Sequence, residues 1–316
     1  MRMKINRYKR SFAAVRKFFF FRGTDVTQAD TLQVRPPNRI IKKKNAALVQ
    51  YKEGDCEREE SAMKEQPIVI QGAMEVETAD LIEQMTEAQE EPFGPWRCVR
   101  GLVDGHPVVV SETQWGMANA AALAALAIER YQPAAIISQG TAGAHDPALA
   151  VYDIVLGART VNESAWQSRY RAAGAGAPME ELKQLGVFAW DAQAGKFTQE
   201  VYHAADAALL AAGQAAAASY RRGRVVTGTI GTSDSWNCAV DRVRFLHAFY
   251  GTACEEMEGD AVAQIAQSFG VPFLDVRIIS NSILQNQDPW DLGTGPACQG
   301  FVLSLLRAYW ADRQDG

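Results

Sequence analysis

The sequence predicts an α/β fold, a central sheet flanked by helices. Three observations carry that prediction. From Gln66 onward, short apolar runs alternate with segments of helical periodicity, and alternation of this kind builds a sheet with helices packed on it. Apolar residues make up 47% of the chain and charged residues 22%, the balance of an ordinary globular protein. At 316 residues the chain is long enough to bury a sizeable core.

The elements follow in order. Pro67-Ile68-Val69-Ile70 is a short apolar run, as for a buried strand, broken by Gly72-Ala73-Met74. A helix is expected over 77–85. Segments 97–103 and 107–111 read as a hairpin around Asp104-Gly105. A helix over 119–131 precedes a strand over 134–138, which ends in Gly140-Thr141-Ala142-Gly143. A strand over 152–156 follows. Residues 170–200 are irregular and rich in Gly and Ala, an expected insertion or lid. A helix over 204–220 leads to a strand over 224–230. Val262, Ile265, Ala266 and Phe269 fall at i, i+3, i+4 and i+7, one apolar helical face, and Gly270 stops that helix. An apolar strand over 272–279 and a closing helix over 297–310 complete the pattern, the latter with Val302, Leu305, Leu306 and Tyr309 on one face.

Residues 1–64 are expected to form a basic, disordered N-terminal extension, leaving 65–316 as the folded domain. Residues 1–44 carry a net +11 while the whole chain is −5, so the remainder is strongly acidic. An acidic body argues against broad nucleic-acid binding. No apolar run approaches the ~20 residues of a membrane span. The five cysteines form no C-x-x-C pair, which fits a reducing, cytoplasmic setting rather than a disulfide framework. The four histidines show no metal spacing, and no phosphate-binding P-loop, dinucleotide fingerprint or G-x-S-x-G elbow is present.

What remains is polar residues at predicted strand ends, where α/β sheets place their sites. Glu75 and Glu77 follow the first strand. Thr141, Ala142 and Gly143 follow the strand over 134–138. Ser280 and Asn281 follow the last strand, and Glu258 opens the helix before it. Each has a plain structural alternative. An acidic residue in a first helical turn favours the helix dipole, Ser-Asn makes turns, Gly140 to Gly143 reads equally as a turn without a ligand, and Trp236 equally as a core aromatic.

Order and spacing together are more specific. Gly72-Ala73-Met74-Glu75-Val76-Glu77, Gly140-Thr141-Ala142-Gly143, Ser233-Asp234-Ser235-Trp236, Glu256-Met257-Glu258 and Val276-Arg277-Ile278-Ile279-Ser280-Asn281 resemble the motifs of the nucleoside phosphorylase/nucleosidase superfamily. They are most similar to its 5'-methylthioadenosine/S-adenosylhomocysteine nucleosidase branch. The resemblance covers residues 66 to about 310. It implies a single domain around a mixed, partly barrel-like sheet, no cofactor or metal, a purine nucleoside as substrate and a homodimer.

The resemblance also implies roles. Cleaving a purine–ribose bond builds positive charge on the sugar, as in glycosidases. Glu258 would grip the ribose hydroxyls, with Met257 packing on the sugar and Glu256 and Met74 beside it. Glu77 would take a proton from the attacking water. Trp236 would stack on the base, the backbone at Asn237 would read its edge, and Thr141, Ala142, Gly143 and Ser280 would complete the pocket. Asn281 departs from the branch, which carries Asp there. A neutral amide donates and accepts hydrogen bonds but is no general acid, so 6-oxopurine nucleosides such as inosine or futalosine become alternatives. The loop Gln114 to Asn119 lacks the Arg or Lys that would hold phosphate, and Arg277 lies within a strand. Water is thus the expected nucleophile. The alternatives are a phosphorylase and a non-catalytic nucleoside-binding protein on the same fold.

Overall fold

Alternation along the first strand sets the layout. β1 (Ile68–Gly72) is buried at all five positions. Ile68 and Ile70 join one core cluster and Val69 another, because successive strand side chains leave opposite faces of the sheet. A strand buried on both faces lies inside a helix-covered sheet, as its unbroken apolar run predicts. The computed structural model describes residues 65–191, 194–286 and 290–314, and Glu65–Gly316 is one compact unit. The extension expected over 1–64 lies outside the described residues.

α1 (Glu75–Glu83) follows β1 and begins two residues before the predicted start. β2 (Thr86–Phe93), β3 (Trp96–Val103) and β4 (His106–Glu112) form an antiparallel meander. Asp104 and Gly105 both take positive φ at the β3–β4 turn, the conformation of a two-residue hairpin loop. β2 has no counterpart in the sequence reading, because it is polar and mostly exposed. α2 (Met117–Tyr131) leads to β5 (Ala135–Ala144) and β6 (Ile154–Asn162). β5 therefore runs through Gly140 to Gly143 instead of ending before them.

The segment expected as an irregular lid is partly ordered. β7 (Trp166–Gln167) pairs with β8 (Lys183–Gln184), and β9 (Val187–Asp191) pairs with β10 (Lys196–Glu200). After β11 (Tyr202–Ala204) comes α3 (Ala207–Ala216), shorter than the helix predicted over 204–220. The Asp206 side chain accepts from Ala208 and Leu209 amides and fixes that start. β12 (Val225–Thr232), α4 (Val240–Tyr250), β13 (Thr252–Glu256), α5 (Gly259–Phe269), β14 (Phe273–Asn281) and α6 (Thr294–Gln314) complete the chain. α4 and β13 went unanticipated. β14 contains Ser280 and Asn281, which the sequence reading had placed after the strand.

The main sheet runs β11-β6-β12-β13-β5-β1-β4-β3-β2, and β14 bonds both β5 and β6. Strands β6, β12, β13, β5 and β14 thus close a ring, the partly barrel-like, mixed sheet that was expected. α6 covers one face of the sheet with Val302, Leu305 and Leu306 fully buried. α2 and α5 cover the other with Leu123, Ala127, Val262 and Ala266. Phe269, which closes the predicted apolar face of α5, is 47% exposed: it lies in the helix's last turn. Among the described residues no helix is long and apolar enough to cross a membrane.

Candidate active site

The ring and β1 together bring the predicted residues to one place. A cleft opens where β1, β5, β13 and β14 end. Every predicted site residue lines it except Asn237, and Asn237 bonds to a lining residue, Glu255.

Glu77 enters from the first turn of α1 and is buried. Its Oε2 accepts from the amides of Ala73 (2.9 Å) and Met74 (3.3 Å). Its Oε1 accepts from the Thr141 amide (2.8 Å) and hydroxyl (3.0 Å). Burial raises its pKa, and the charge of Arg277 and these hydrogen bonds reduce that rise without cancelling it. A carboxyl so placed holds its proton to a higher pH than a free one. Gly140 is required beside it: a Cβ there would sit 2.6 Å from Glu77 Oε1.

Glu258 stands at the N-cap position of α5, its side chain turned away from the helix amides. Its Oε1 accepts from the Gly116 amide (3.1 Å), and its Oε2 lies 3.5 Å from Arg277 Nη1. Burial and then the neighbouring Glu256 raise its pKa against the pull of Arg277. Glu256 faces inward. Its Oε2 accepts from the Glu258 and Gly259 amides (2.7 and 2.8 Å) and from Arg277 Nη2 (2.7 Å). Its carboxylate thus braces the turn that aims Glu258, while Met257 lies beside it on the cleft wall.

Arg277 has a role the sequence showed only in part. It is buried and also reaches Asp275 Oδ1 (2.8 Å) and the Ser138 hydroxyl (2.8 Å). One guanidinium therefore holds Asp275, Glu256 and Glu258 beneath the cleft, and its field reaches Glu77. Its Nε and Nη2 are engaged by Asp275, Glu256 and Ser138, and Arg277 does not line the cleft.

The other end of the cleft has aromatic walls. Trp236 meets Trp290 edge-on with centroids 6.2 Å apart, and Trp115 also lines the space. Trp115 and Trp290 were missed because nothing in their local sequence distinguishes them from core aromatics. The Ser280 hydroxyl reaches Asn281 Oδ1 (3.0 Å) and the Ala142 carbonyl (3.2 Å). Glu255, also missed, accepts from the Asn237 amide at 3.1 Å and from Asn237 Nδ2 at 2.5 Å.

Two negative features bear on chemistry. No Lys or Arg is among the described residues lining the cleft. The glycine loop before α2 is also occupied, since Gly116 donates to Glu258 and Met117 to Asp234 (2.9 Å). The donors that would bind phosphate are thus missing or engaged. Behind the cleft, His145, Glu163 and Glu255 hold ligand-type atoms within 4.8 Å of one another. Nδ1 of His145 faces Thr252 (2.7 Å) and Glu163 (3.6 Å), while Nε2 faces Glu255 (3.2 Å). The imidazole therefore lies between the carboxylates, as in an ion-pair chain, rather than beside them around a common centre.

Residues 67–294 match the phosphorylase superfamily. Among relatives, a 5'-methylthioadenosine/S-adenosylhomocysteine nucleosidase of Shewanella halifaxensis is 32% identical over 226 residues, covering 71% of this chain and 89% of its own. The same enzyme of Shewanella loihica is 30% identical over 247 residues, covering 76% and 98%. In structure, a nucleosidase of that name from Neisseria meningitidis, solved with methylthio-immucillin-A, aligns with a TM-score of 0.62 at 22% identity over 77% of this chain and 99% of its own. A futalosine hydrolase of Helicobacter pylori aligns with a TM-score of 0.62 at 20% identity over 77% and 97%. These two structures share the fold.

Proposed function

We propose that this chain, which belongs to the phosphorylase superfamily, hydrolyses the N-glycosidic bond of a purine nucleoside and releases the free base. One observation carries the reading: two buried carboxylates, Glu77 and Glu258, face one cleft with aromatic walls and, among the described residues, no lining cation. The similar enzymes, named for 5'-methylthioadenosine and S-adenosylhomocysteine, point to nucleosides of that type as first substrates.

In this reading the base stacks on Trp236, with Trp290 edge-on to that ring and Trp115 on the cleft wall. Glu258 accepts from the ribose hydroxyls and opposes the positive charge that grows on the sugar. Met257 packs on the ribose. Water attacks the anomeric carbon and passes its proton to Glu77. The C–N bond breaks, its electron pair leaves with the purine, whose edge meets Asn281, and the purine takes a proton from solvent.

Liberated purine is measured with and without phosphate. Phosphate-independent release supports hydrolysis, and release that requires phosphate points to a phosphorylase. We also infer a homodimer. The exposed Phe188 and Phe197 on the β9–β10 hairpin support it, since clustered exposed apolar residues mark association surfaces. Light scattering tests that.

A further inference from the structure

The first turn of α5 aims Glu258, and that turn is held from two sides. On one side Gly259 lies so close to Asp275 that a Cβ at 259 would overlap Asp275 Oδ2. On the other side stands Asp260, which does not line the cleft. Its amide donates to Thr232 Oγ1 (2.8 Å), and the Thr232 hydroxyl donates in turn to Glu256 Oε1. Its carboxylate Oδ1 lies 2.6 Å from the Thr160 hydroxyl and 2.9 Å from His203 Nδ1.

His203, Thr160 and Asp260 are all buried. His203 of β11 and Thr160 of β6 stand opposite each other in the antiparallel register, so both side chains leave the same face of the sheet and meet the start of α5. His203 Nε2 has no partner among the described residues, which leaves Asp260 as the polar contact that holds the ring. An exposed acid in the first turn would serve the helix dipole as well. Burying Asp260 adds a desolvation cost that the dipole does not require. The link is the same whether the shared proton lies on Nδ1 or on the carboxyl, since either form spans this contact.

The far end of α5 is gripped too. The Trp190 amide of β9 donates to Ser268 Oγ (3.2 Å), and Gln264 Nε2 donates to the Phe188 carbonyl (2.7 Å). β9 and β11 thus hold the helix at its two ends, with Glu258 at the end that β11 holds. We propose that His203 and Asp260 are positioning residues for the reaction: by tying the first turn of α5 to β11 and β6, they keep the Glu258 carboxyl where it meets the ribose hydroxyls. This rests on the nucleosidase reading, which gives Glu258 the ribose. Loss of the pair should weaken the grip on the hydroxyls and spare the contacts to the base.

Two carbon-linked analogues of 5'-methylthioadenosine, whose glycosidic C–C bond does not hydrolyse, test this by calorimetric titration. One keeps the 2'- and 3'-hydroxyls and the other lacks both. The wild type should bind the hydroxylated form roughly tenfold or more tightly, from hydrogen bonds to a buried carboxyl. E258A should erase that ratio, and D260N added to E258A should change it no further. D260N and H203F alone should each shrink it roughly threefold or more. H203N, which returns a donor near the Nδ1 position, should recover part of what H203F loses. T160V removes the other donor to Asp260 and decides the matter if D260N and H203F do not fold. A lower Tm with an unchanged ratio in these variants makes the pair structural only and overturns the proposal. Equal binding of the two analogues by the wild type overturns it as well. Purine release from 5'-methylthioadenosine is followed in parallel. Ratios that shift as stated without release by the wild type keep the pair and sink the nucleosidase. Release with unshifted ratios keeps the nucleosidase and sinks the pair.

Discussion

Glu163 offers a sharp test of the buried layer behind the cleft. Its side chain is 1% exposed, and neither carboxylate oxygen has an aligned hydrogen bond among the described residues. Burial raises its pKa from 4.5 to about 7, with repulsion from Glu255 adding to the rise and His145 and the Thr252 hydroxyl opposing it. Between those values the folded protein keeps a proton that the unfolded chain has released. The contribution of Glu163 to stability is thus fully present below about 4.5 and is lost as pH rises through about 7. A rise of this size corresponds to a loss of about 3 kcal/mol. E163Q keeps the shape and cannot ionise. At pH 4, below both values, the variant should match the wild type. At pH 8.5 it should be more stable by about 3 kcal/mol, or roughly 6–12 °C in Tm for a domain of this size. Thermal unfolding followed by circular dichroism at both pH values measures the difference. An equal Tm offset at the two pH values would refute the reasoning.

The site makes further predictions. E77Q should lower kcat/KM for nucleoside hydrolysis on the order of 10²-fold or more while leaving the unfolding transition in place, as purine release and calorimetry will show. Because burial raises the Glu77 pKa, activity should fall, as pH drops, above the ordinary carboxylate range; an acid limb at or below 4.5 in the kcat/KM profile contradicts its role as base. Arg277→Met removes the cation shared by Asp275, Glu256 and Glu258 and should cost roughly 3–5 kcal/mol in denaturant unfolding. Millimolar phosphate should leave the rate of purine release unchanged, and a saturable dependence on phosphate would show that a donor reaches the cleft from elsewhere.

Much of the fold was legible because it is written locally. The apolar run at Ile68, the Asp104-Gly105 turn and the spacing of Val302, Leu305, Leu306 and Tyr309 each report the periodicity of one element. Failures were local as well. β2 is polar and exposed, so it carries no such signal. The helix predicted over 204–220 began late because the Asp206 side chain caps it, and its alanine-rich composition does not mark an end. The glycines at 140 and 143 read as a turn, yet they lie within β5, where Gly140 makes room for Glu77.

By itself the sequence determined the alternation of strand and helix, the apolar faces of the helices and the order of the polar blocks. Each depends on residues a few positions apart. Only the tertiary structure decided that β14 bonds β5 and β6 and so closes a ring. It also decided that Arg277 sits among three acids, and that His145, Glu163 and Glu255 meet behind the base end of the cleft. Pairings across long loops leave no periodic trace. A buried charge in the sequence looks like any other until its partners arrive from distant strands.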